Sequence, residues 1–528
     1  MNGRLAIDFG NANTVIAIWD EEKSRPRTVE LRPYARIHKH EKDRIPLIPS
    51  LVHFPEGSGA PVIGHPVIQT NVLDSPRTIR SMKRNLTMVH GKLIDGKTIT
   101  FSDAATVFVT TVLSEATRVF STKNEPIALT VPVDSFEQYT KWLAEICEKN
   151  GYTNVKFIDE PAAAALSFGS KIKENDIYLI FDFGASTLDL AIVRFHASPK
   201  TVRKGKHCEV LAKRAVEIGG DDIDKWIFEH ILSTKKFEKD HPTIEKQKLQ
   251  LLTQCRQAKE ALSSQASFDV QVENPYTKKT DVFTLTQPAL EQILENRNFF
   301  YKLTATIDKA LDIANQDFAL TKEKITGILM VGGSSLIPAV QRNLRSYFGV
   351  HRVQITQPLD AVARGAAAYI SGMDVYDHVQ HDYAIYHRDP KTKQPAFETI
   401  IRRGERYPST KPIATRTVTA DYFNQTEFQL VVCEISTEPL PEQEELVELQ
   451  DDVTFYHEQD KQPIKYRYLN KQNPCLLKTK RAIQQGHKAL EVSFYIDENK
   501  HLVIDTFTFN PQGDKIPHQT KLQLVKLT

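Results

Sequence analysis

The feature that most restricts how this chain can fold is a segment that occurs twice. Ile7–Trp19 (IDFGNANTVIAIW) aligns without gaps on Phe181–Val193 (FDFGASTLDLAIV), with Asp, Phe, Gly, Ala and Ile recurring in register. The copies lie roughly 170 residues apart, too far for a solenoid repeat and the right distance for a duplicated domain. Each copy reads as an apolar strand, an Asp-Phe-Gly turn and a second apolar strand, a hairpin with a carboxylate at its tip.

Between and after the copies, strands and helices alternate. Ile127–Val133 reads as a buried strand. Asp134–Glu137 reads as a capping box for a helix with Phe136, Trp142, Leu143 and Ile146 at helical spacing, and Val155–Ile158 as the next strand. After the second copy come a Gly219-Gly220 turn, a polar helical stretch to about Ser264, a strand at Ile325–Val331 and a helix with Pro338 in its first turn. This alternation predicts α/β layers. From about Tyr383 the pattern changes to short strands. Leu490, Val492, Phe494 and Ile496 alternate with polar neighbours, Asp497–Lys500 turns, and Leu502–Phe509 returns, predicting an antiparallel β domain. The acidic segment Glu438–Asp452 and the basic stretches Lys200–Lys206 and Lys478–Arg481 read as solvated loops.

Composition narrows the function classes. The 528 residues exceed one core, and 41% hydrophobic with 25% charged residues is an ordinary globular balance. A net charge of +2 gives no field that would gather nucleic acid or an anionic membrane, so neither is expected as the main partner. No apolar run reaches the ~18 residues that span a bilayer, and the N-terminus lacks the pattern of a signal peptide, so a cytoplasmic location is expected. The five cysteines are scattered without a C-x-x-C pair and the 17 histidines show no metal spacing, which predicts reduced, mostly buried thiols.

The hairpins carry the chemistry. Glycine in a tight turn lets backbone N–H groups approach an anion, so Gly10 and Gly184 in facing hairpins could hold the two ends of a polyphosphate. Asp8 and Asp182 at the strand tips suit Mg²⁺, which is typically held by one or two carboxylates through waters. One D-F-G turn would be weak evidence; its duplication points to a metal–nucleotide site. A third loop, Gly332-Gly333-Ser334-Ser335, follows an apolar strand and precedes a helix, and reads either as a nucleotide contact or as a packing turn.

AIDFGNANTVIAI, FIDEPAAAALSFG, LIFDFGASTLDLAIV, EIGGDDID and ILMVGGSSLIPAV, in this order and spacing, resemble the nucleotide-binding domain of the heat shock protein 70 family, the DnaK-type chaperones. YPSTK and ALEVSFYIDENKHLVIDTF resemble, more loosely, that family's β-sandwich peptide-binding domain. The resemblance implies a duplicated actin-like ATPase fold with ribonuclease H-like halves over residues 1–372 (lobes about 1–178 and 179–372). A linker over 373–382 and an antiparallel β-sandwich over 383–528 would follow. It implies ATP/ADP and Mg²⁺ as cofactors, with Asp8 and Asp182 organising the ion through water. Glu160 and Thr187 would sit near the γ-phosphate and attacking water, and Lys83 would contact the transferring phosphoryl group. Gly10, Asn11, Ala12, Gly184, Ala185 and Ser186 would form the phosphate loops. Lys259 and Ser263 would meet the ribose and adenine, with Gly219, Gly220, Gly332, Gly333 and Ser334 completing the site. A peptide groove would be lined by Ile385, Val418, Phe428 and Leu430. The implied partners are unfolded or extended polypeptides, a J-domain co-chaperone and a nucleotide exchange factor.

Departures from the family pattern carry expectations of their own. Glu260 and Leu336 stand where arginines usually stack on adenine, so weaker base binding is expected. Ala185 and Ser186 replace glycines, and would be strained wherever a positive φ is needed, with slower hydrolysis. Pro132 and Glu160 match the family's interdomain switch, but Thr140 stands for an arginine and the linker 373–380 is polar, so weaker coupling is expected. Phe428 is bulkier than the usual pocket residue, implying a shallower pocket. Ending at Thr528 implies no helical lid, hence fast peptide exchange and modest affinity. Two other readings stand beside the chaperone: a nucleotide-binding interaction protein with little turnover, and an actin-like or sugar-kinase-like relative, to which the β tail lends no support.

Overall fold

The computed structural model describes residues 4–527 except 41–42, 58, 87, 89, 121–124, 134–136, 169–171, 197–206, 356, 374, 380, 389–394, 437–451, 457–462, 499 and 510–514. The chain divides into two compact units, Met1–Val375 and Tyr376–Thr528. Among the described residues no helix is long and apolar enough to cross a membrane.

The first unit contains two sheets of like topology. In one, strands lie in the order Val155–Asp159, Ile127–Val131, Leu5–Phe9, Asn13–Asp20, Asp43–Pro49 and Arg36–His40; in the other the order runs Val353–Gln354, Gly327–Val331, Ile177–Phe183, Leu188–His196 and His207–Val216. In each, parallel pairing leads to the repeat hairpin, whose strands pair antiparallel. The two sequence copies therefore occupy equivalent places. Apolar runs such as IALTV and IYLIFDF are buried along their whole length, as strands covered on both faces must be.

The period of two sorts these side chains. Leu5, Ile7 and Phe9 pack outward, against Phe108 and Val112 of helix Phe101–Val119, while Ala6, Val15, Ala17 and Leu47 face the other lobe. In the second sheet Leu179, Phe181 and Phe183 point outward and Tyr178 and Ile180 inward. Asp8 and Asp182 occupy inward positions, so both carboxylates lie on faces turned toward the partner lobe.

Two alanine-rich helices, Glu160–Phe168 and Ala361–Ile370, follow the third parallel strand of each half and pack in that shared inner core. Their contact is close: a Cβ on Gly365 would lie 1.5 Å from the Ala163 carbonyl oxygen. Only a residue without a side chain fits there.

Several local expectations need correction. The polar helical stretch to Ser264 is two helices, Gly220–Lys235 and Pro242–Ala261; the first ends at Lys236 in left-handed conformation and Pro242 opens the second. Lys478–Arg481 is not a loop but part of strand Cys475–Ile483. The expected linker contains strand Val375–His378, whose Asp377 and His378 pair with Tyr407 and Arg406. Residues 134–136 of the capping box, the basic stretch 200–206 and 437–451 of the acidic segment lie outside the described residues; Asp452 begins strand Asp452–Tyr456.

The second unit holds two antiparallel sheets. One runs Pro395–Ile401, Asp382–Arg388, Gln425–Ser436, Pro463–Tyr468 and Asp452–Tyr456, with Cys475–Ile483 also on Gln425–Ser436; the other runs Ala414–Thr419, Lys488–Ile496, His501–Phe509 and Lys515–Lys526. Tyr383, Val432 and Leu477 from one and Leu490, Phe494 and Leu502 from the other share a core. All five cysteines are free thiols, four of them buried.

The Gly365 contact gives a direct test. Gly365→Val should destabilise the first unit by about 3 kcal/mol or more, beyond the usual cost of an overpacked core, because the obstruction is backbone. Urea unfolding followed by circular dichroism measures this, and a change under about 0.5 kcal/mol would show that the helices separate freely.

Candidate functional site

Between the lobes of the first unit lies a cleft of about 1100 Å³. Its walls include Asp8, Gly10, Asn11, Ala12, Lys83, Glu160, Asp182, Gly184, Ala185, Ser186, Thr187, Lys259, Ser263, Gly332, Gly333 and Ser334. Gly219 and Gly220, expected on the nucleotide, do not line it and lie behind the second loop.

At the base of the cleft, carboxylates crowd one ammonium. Lys83 bonds Glu160, both largely buried, and the Tyr139 ring lies 5.9 Å from the Lys83 Nζ. Burial works to lower the Lys83 pKa, but Glu160, Tyr139 and Asp8 outweigh it and hold the pKa above its ordinary value. Asp8 accepts a hydrogen bond from the Thr130 hydroxyl at 2.8 Å. Burial, then the charge of Glu160, raises its pKa from 3.8 to about 6. Asp182 is pushed well above the carboxylate range by burial first, then by Glu160, Asp189 and Asp8. Asp189 sits directly opposite Asp182 in the hairpin register and is fully buried, a member of the cluster that sequence reading missed because it lies past the turn motif. Burial raises the Tyr139 phenol to about 12.

This donor set fits a hydrated divalent cation. Among the described residues no three His, Cys, Asp or Glu side chains gather as a direct metal cage. Two carboxylates facing each other across a polar cleft, both resisting ionisation, are instead the arrangement that Mg²⁺ satisfies through its own waters.

The loops are held by named contacts. Gly332, at φ +81°, packs so closely on Phe183 that a Cβ would lie 2.3 Å from the Phe183 carbonyl oxygen and 2.7 Å from Asp182 Oδ1. This third loop is therefore a packing turn that presses on strand Ile177–Phe183, as well as a cleft wall. The Ser334 hydroxyl donates to the Gly184 carbonyl at 2.7 Å, and the amides of Gly220 and Asp221 donate to the carbonyls of Gly184 and Ala185 at 3.1 and 2.7 Å. The Gly184 amide is committed to the Thr187 carbonyl at 3.0 Å, so it closes its own turn and does not serve an anion as expected. Ala185 and Ser186 are both outside the positive-φ region, so their Cβ atoms bring no backbone strain.

Lys259 is likewise occupied: its ammonium donates to the Gly220 carbonyl at 2.6 Å and lies 2.7 Å from Asp224 Oδ1. Asn11 reaches across the cleft, its amide donating to Asp221 Oδ2 at 2.8 Å while its Oδ1 accepts from the Arg84 amide. Ser81 and Arg256 also bond Asp221, and Arg84 bonds Asp222 through both carboxylate oxygens. None of Arg84, Asp221, Asp224 or Arg256 was singled out from sequence. The acidic EIGGDDID run, two charges adjacent at a helix start, was the available signal. At the outer end, Glu260 and Leu336 line the cleft together with Arg256 and Arg345, so guanidinium groups are present although not at the expected positions.

In the second unit the expected groove residues are mostly interior. Phe428 and Leu430 are buried at 3% and 4% exposure, while Ile385 and Val418 are half-buried against the same core. Phe428 therefore fills the core rather than making a pocket shallow.

Two duplicated sheets closing on buried carboxylates beside a lysine define an actin-like ATPase fold. Comparison with known proteins is specific about the branch: the family model described as Hsp70 protein matches residues 62–451. The chain belongs to the Hsp70 family. It is 28% identical over 447 residues to the chaperone protein DnaK of Thermosipho melanesiensis, covering 81% of this chain and 69% of that protein. Against the chaperone protein DnaK of Thermotoga petrophila the figures are 28% over 445 residues, 81% and 70%.

The raised Asp8 pKa sets a pH dependence. The folded chain holds this proton to about pH 6 where the unfolded chain releases it near 3.8, so the stability it contributes is present at low pH and lost as pH rises through that window. Asp8→Asn keeps an oxygen for Thr130 and should be on the order of 1–2 kcal/mol more stable than wild type above pH 6, with no advantage at pH 4. Urea unfolding at both pH values, without divalent cations, reads the difference; equal advantage at both would mean the carboxyl is not strained.

Proposed function

We propose that this protein is an ATP-dependent molecular chaperone of the heat shock protein 70 type, which binds and hydrolyses ATP with Mg²⁺ and couples this to binding of extended polypeptide. The observation that carries the reading is the convergence of Lys83, Glu160, Asp8 and Asp182 at the base of one cleft whose upper walls are the two repeat loops.

Phosphoryl transfer needs positioning and charge neutralisation more than covalent help. Lys83 stays protonated and supplies a fixed positive charge toward the transferring group. Glu160 anchors that ammonium, and with Thr187 and Asp182 it orients the water that attacks the γ-phosphorus as the bond to the β-phosphate oxygen breaks. Bound Mg²⁺, held through water by Asp8 and Asp182, would neutralise phosphate charge. The phosphate loops Gly10–Ala12 and Gly184–Ser186 embrace the phosphates. Ser263, Gly333 and Arg345 line the end available to the nucleoside, while Lys259, Gly219, Gly220 and Ser334 act by fixing the loops. ADP would occupy the same walls after release of phosphate.

The second unit is proposed as a β-sandwich peptide-binding domain, with Ile385 and Val418 as the half-buried candidates for client contact and Phe428 and Leu430 supporting them from within. Exposed Tyr422 and Phe423, in the turn before Gln425–Ser436, add apolar surface suited to an extended client. J-domain and nucleotide-exchange partners, a stress-response role and a cytoplasmic location belong to the same proposal. A nucleotide-binding interaction protein with little turnover is the rival favoured by the occupied Lys259 and Gly184 groups.

Single-turnover ATP hydrolysis with Mg²⁺ separates the two. Lys83→Ala should lower the cleavage rate by about 10²-fold or more with ATP still bound, and an apolar peptide should accelerate the wild type. Tight ATP binding with no Lys83-dependent cleavage would leave the rival reading standing.

A further inference from the structure

The cleft does not end at the phosphate loops. Asp8 pairs with Val15 and Arg36 with Leu47, and Thr14 pairs with Ile48, a register that continued by one step sets Val15 beside Leu47. Asp8, Val15, Leu47 and Arg36 thus form one cross-strand row on the inner face of the first sheet, and all four line the cleft. Three strand spacings, ~14 Å, separate the Asp8 and Arg36 backbones, and the long arginine side chain spans much of that. His38, two residues on and facing the same way, and Lys39 line the cleft as well.

Among the described residues four arginines, Arg36, Arg214, Arg364 and Arg416, have a buried Nε without a hydrogen-bond partner, and of these Arg36 lines the cleft. His65, whose amide is tied to the Tyr34 carbonyl at 2.8 Å, lies behind strand Arg36–His40, with burial first and then the Arg36 charge lowering its pKa. A buried guanidinium N–H without an acceptor is costly, and one that lines a cleft beside His38 and Lys39 calls for an oxyanion.

We propose that Arg36, with His38 and Lys39 beside it, forms a site for inorganic phosphate beyond the phosphate loops, where the ion cleaved from ATP is held before it leaves. The product role rests on the ATPase reading above; the oxyanion site does not. Its chemistry is that of a guanidinium bidentate to a tetrahedral oxyanion.

Calorimetric titration of inorganic phosphate into the full chain, saturated with Mg-ADP, tests it. Wild type should take up one phosphate, Arg36→Gln should bind at least about tenfold more weakly, and Arg36→Lys should retain part of the affinity, with ADP affinity unchanged in all three. No uptake by wild type, or equal uptake by Arg36→Gln, overturns the site. If ADP itself fails to bind, the nucleotide reading falls, while the same titration into the nucleotide-free chain still decides the Arg36 dependence. In single-turnover ATP hydrolysis, phosphate release should lag cleavage in wild type and follow it without lag in Arg36→Gln; release in step with cleavage in wild type overturns the product role.

Discussion

The structure depends on the close approach of two helices. Each half of the duplication ends in a short helix of small residues, and Gly365 brings the second so near the first that its Cα faces the Ala163 carbonyl. Small residues reduce the spacing between backbones, and that spacing decides how near the two inner sheet faces stand. Asp8 and Asp182 lie on those faces, so the helix pair sets the width of the cleft as well as the packing of its floor. Larger side chains would have kept the fold of each lobe and separated the carboxylates.

What that width brings together is electrostatically uncomfortable. Asp8 and Asp182 both resist ionisation, chiefly because they are buried and then because Glu160 is near, and Lys83 offsets only part of the negative charge. Burying charges with incomplete compensation costs several kcal/mol per ion in general. A site so arranged gains most from a ligand that brings positive charge along with anions, which describes a metal–nucleotide pair better than either component alone.

Much of this was legible in the residues. The repeat alone specified two equivalent hairpins, because the Asp-Phe-Gly turns sit between apolar runs whose period of two also sets the facing of the carboxylates. What could not be read was which polar groups answer one another over long separations. Lys259 and Ser334 match a nucleotide-contacting pattern, yet their polar atoms are engaged by Gly220, Asp224 and Gly184, partners 35 to 150 residues away. Asn11, read as part of the first phosphate loop, lines the cleft and also bridges the lobes through Asp221. The strain expected at Ala185 and Ser186 did not arise because the loop keeps ordinary backbone angles there and takes its closeness from Gly219 packing behind it. In the second unit, strand alternation predicted the pairing of Lys488–Ile496 with His501–Phe509, but a loose alignment cannot tell an inward from a groove-facing position, and Phe428 and Leu430 proved interior.

The duplication has diverged in charge while keeping its topology, and that asymmetry bears on how the cleft closes. The inner row of the first lobe reads Asp8, Val15, Leu47, Arg36; the corresponding row of the second reads Asp182, Asp189, Ala215. The first lobe also carries the Lys83–Glu160 pair, so its inner face is nearly balanced, whereas the second presents two adjacent acids. Near the base, closure sets Asp8 against Asp182, while Lys213 of the second lobe answers Asp159 of the first. Higher in the cleft it is favourable, because Asn11, Ser81 and Arg84 of the first lobe bond Asp221 and Asp222 of the second. Opposed terms at two heights of one cleft make its opening sensitive to any cation at the base, since relieving the repulsion leaves the upper bonds unopposed.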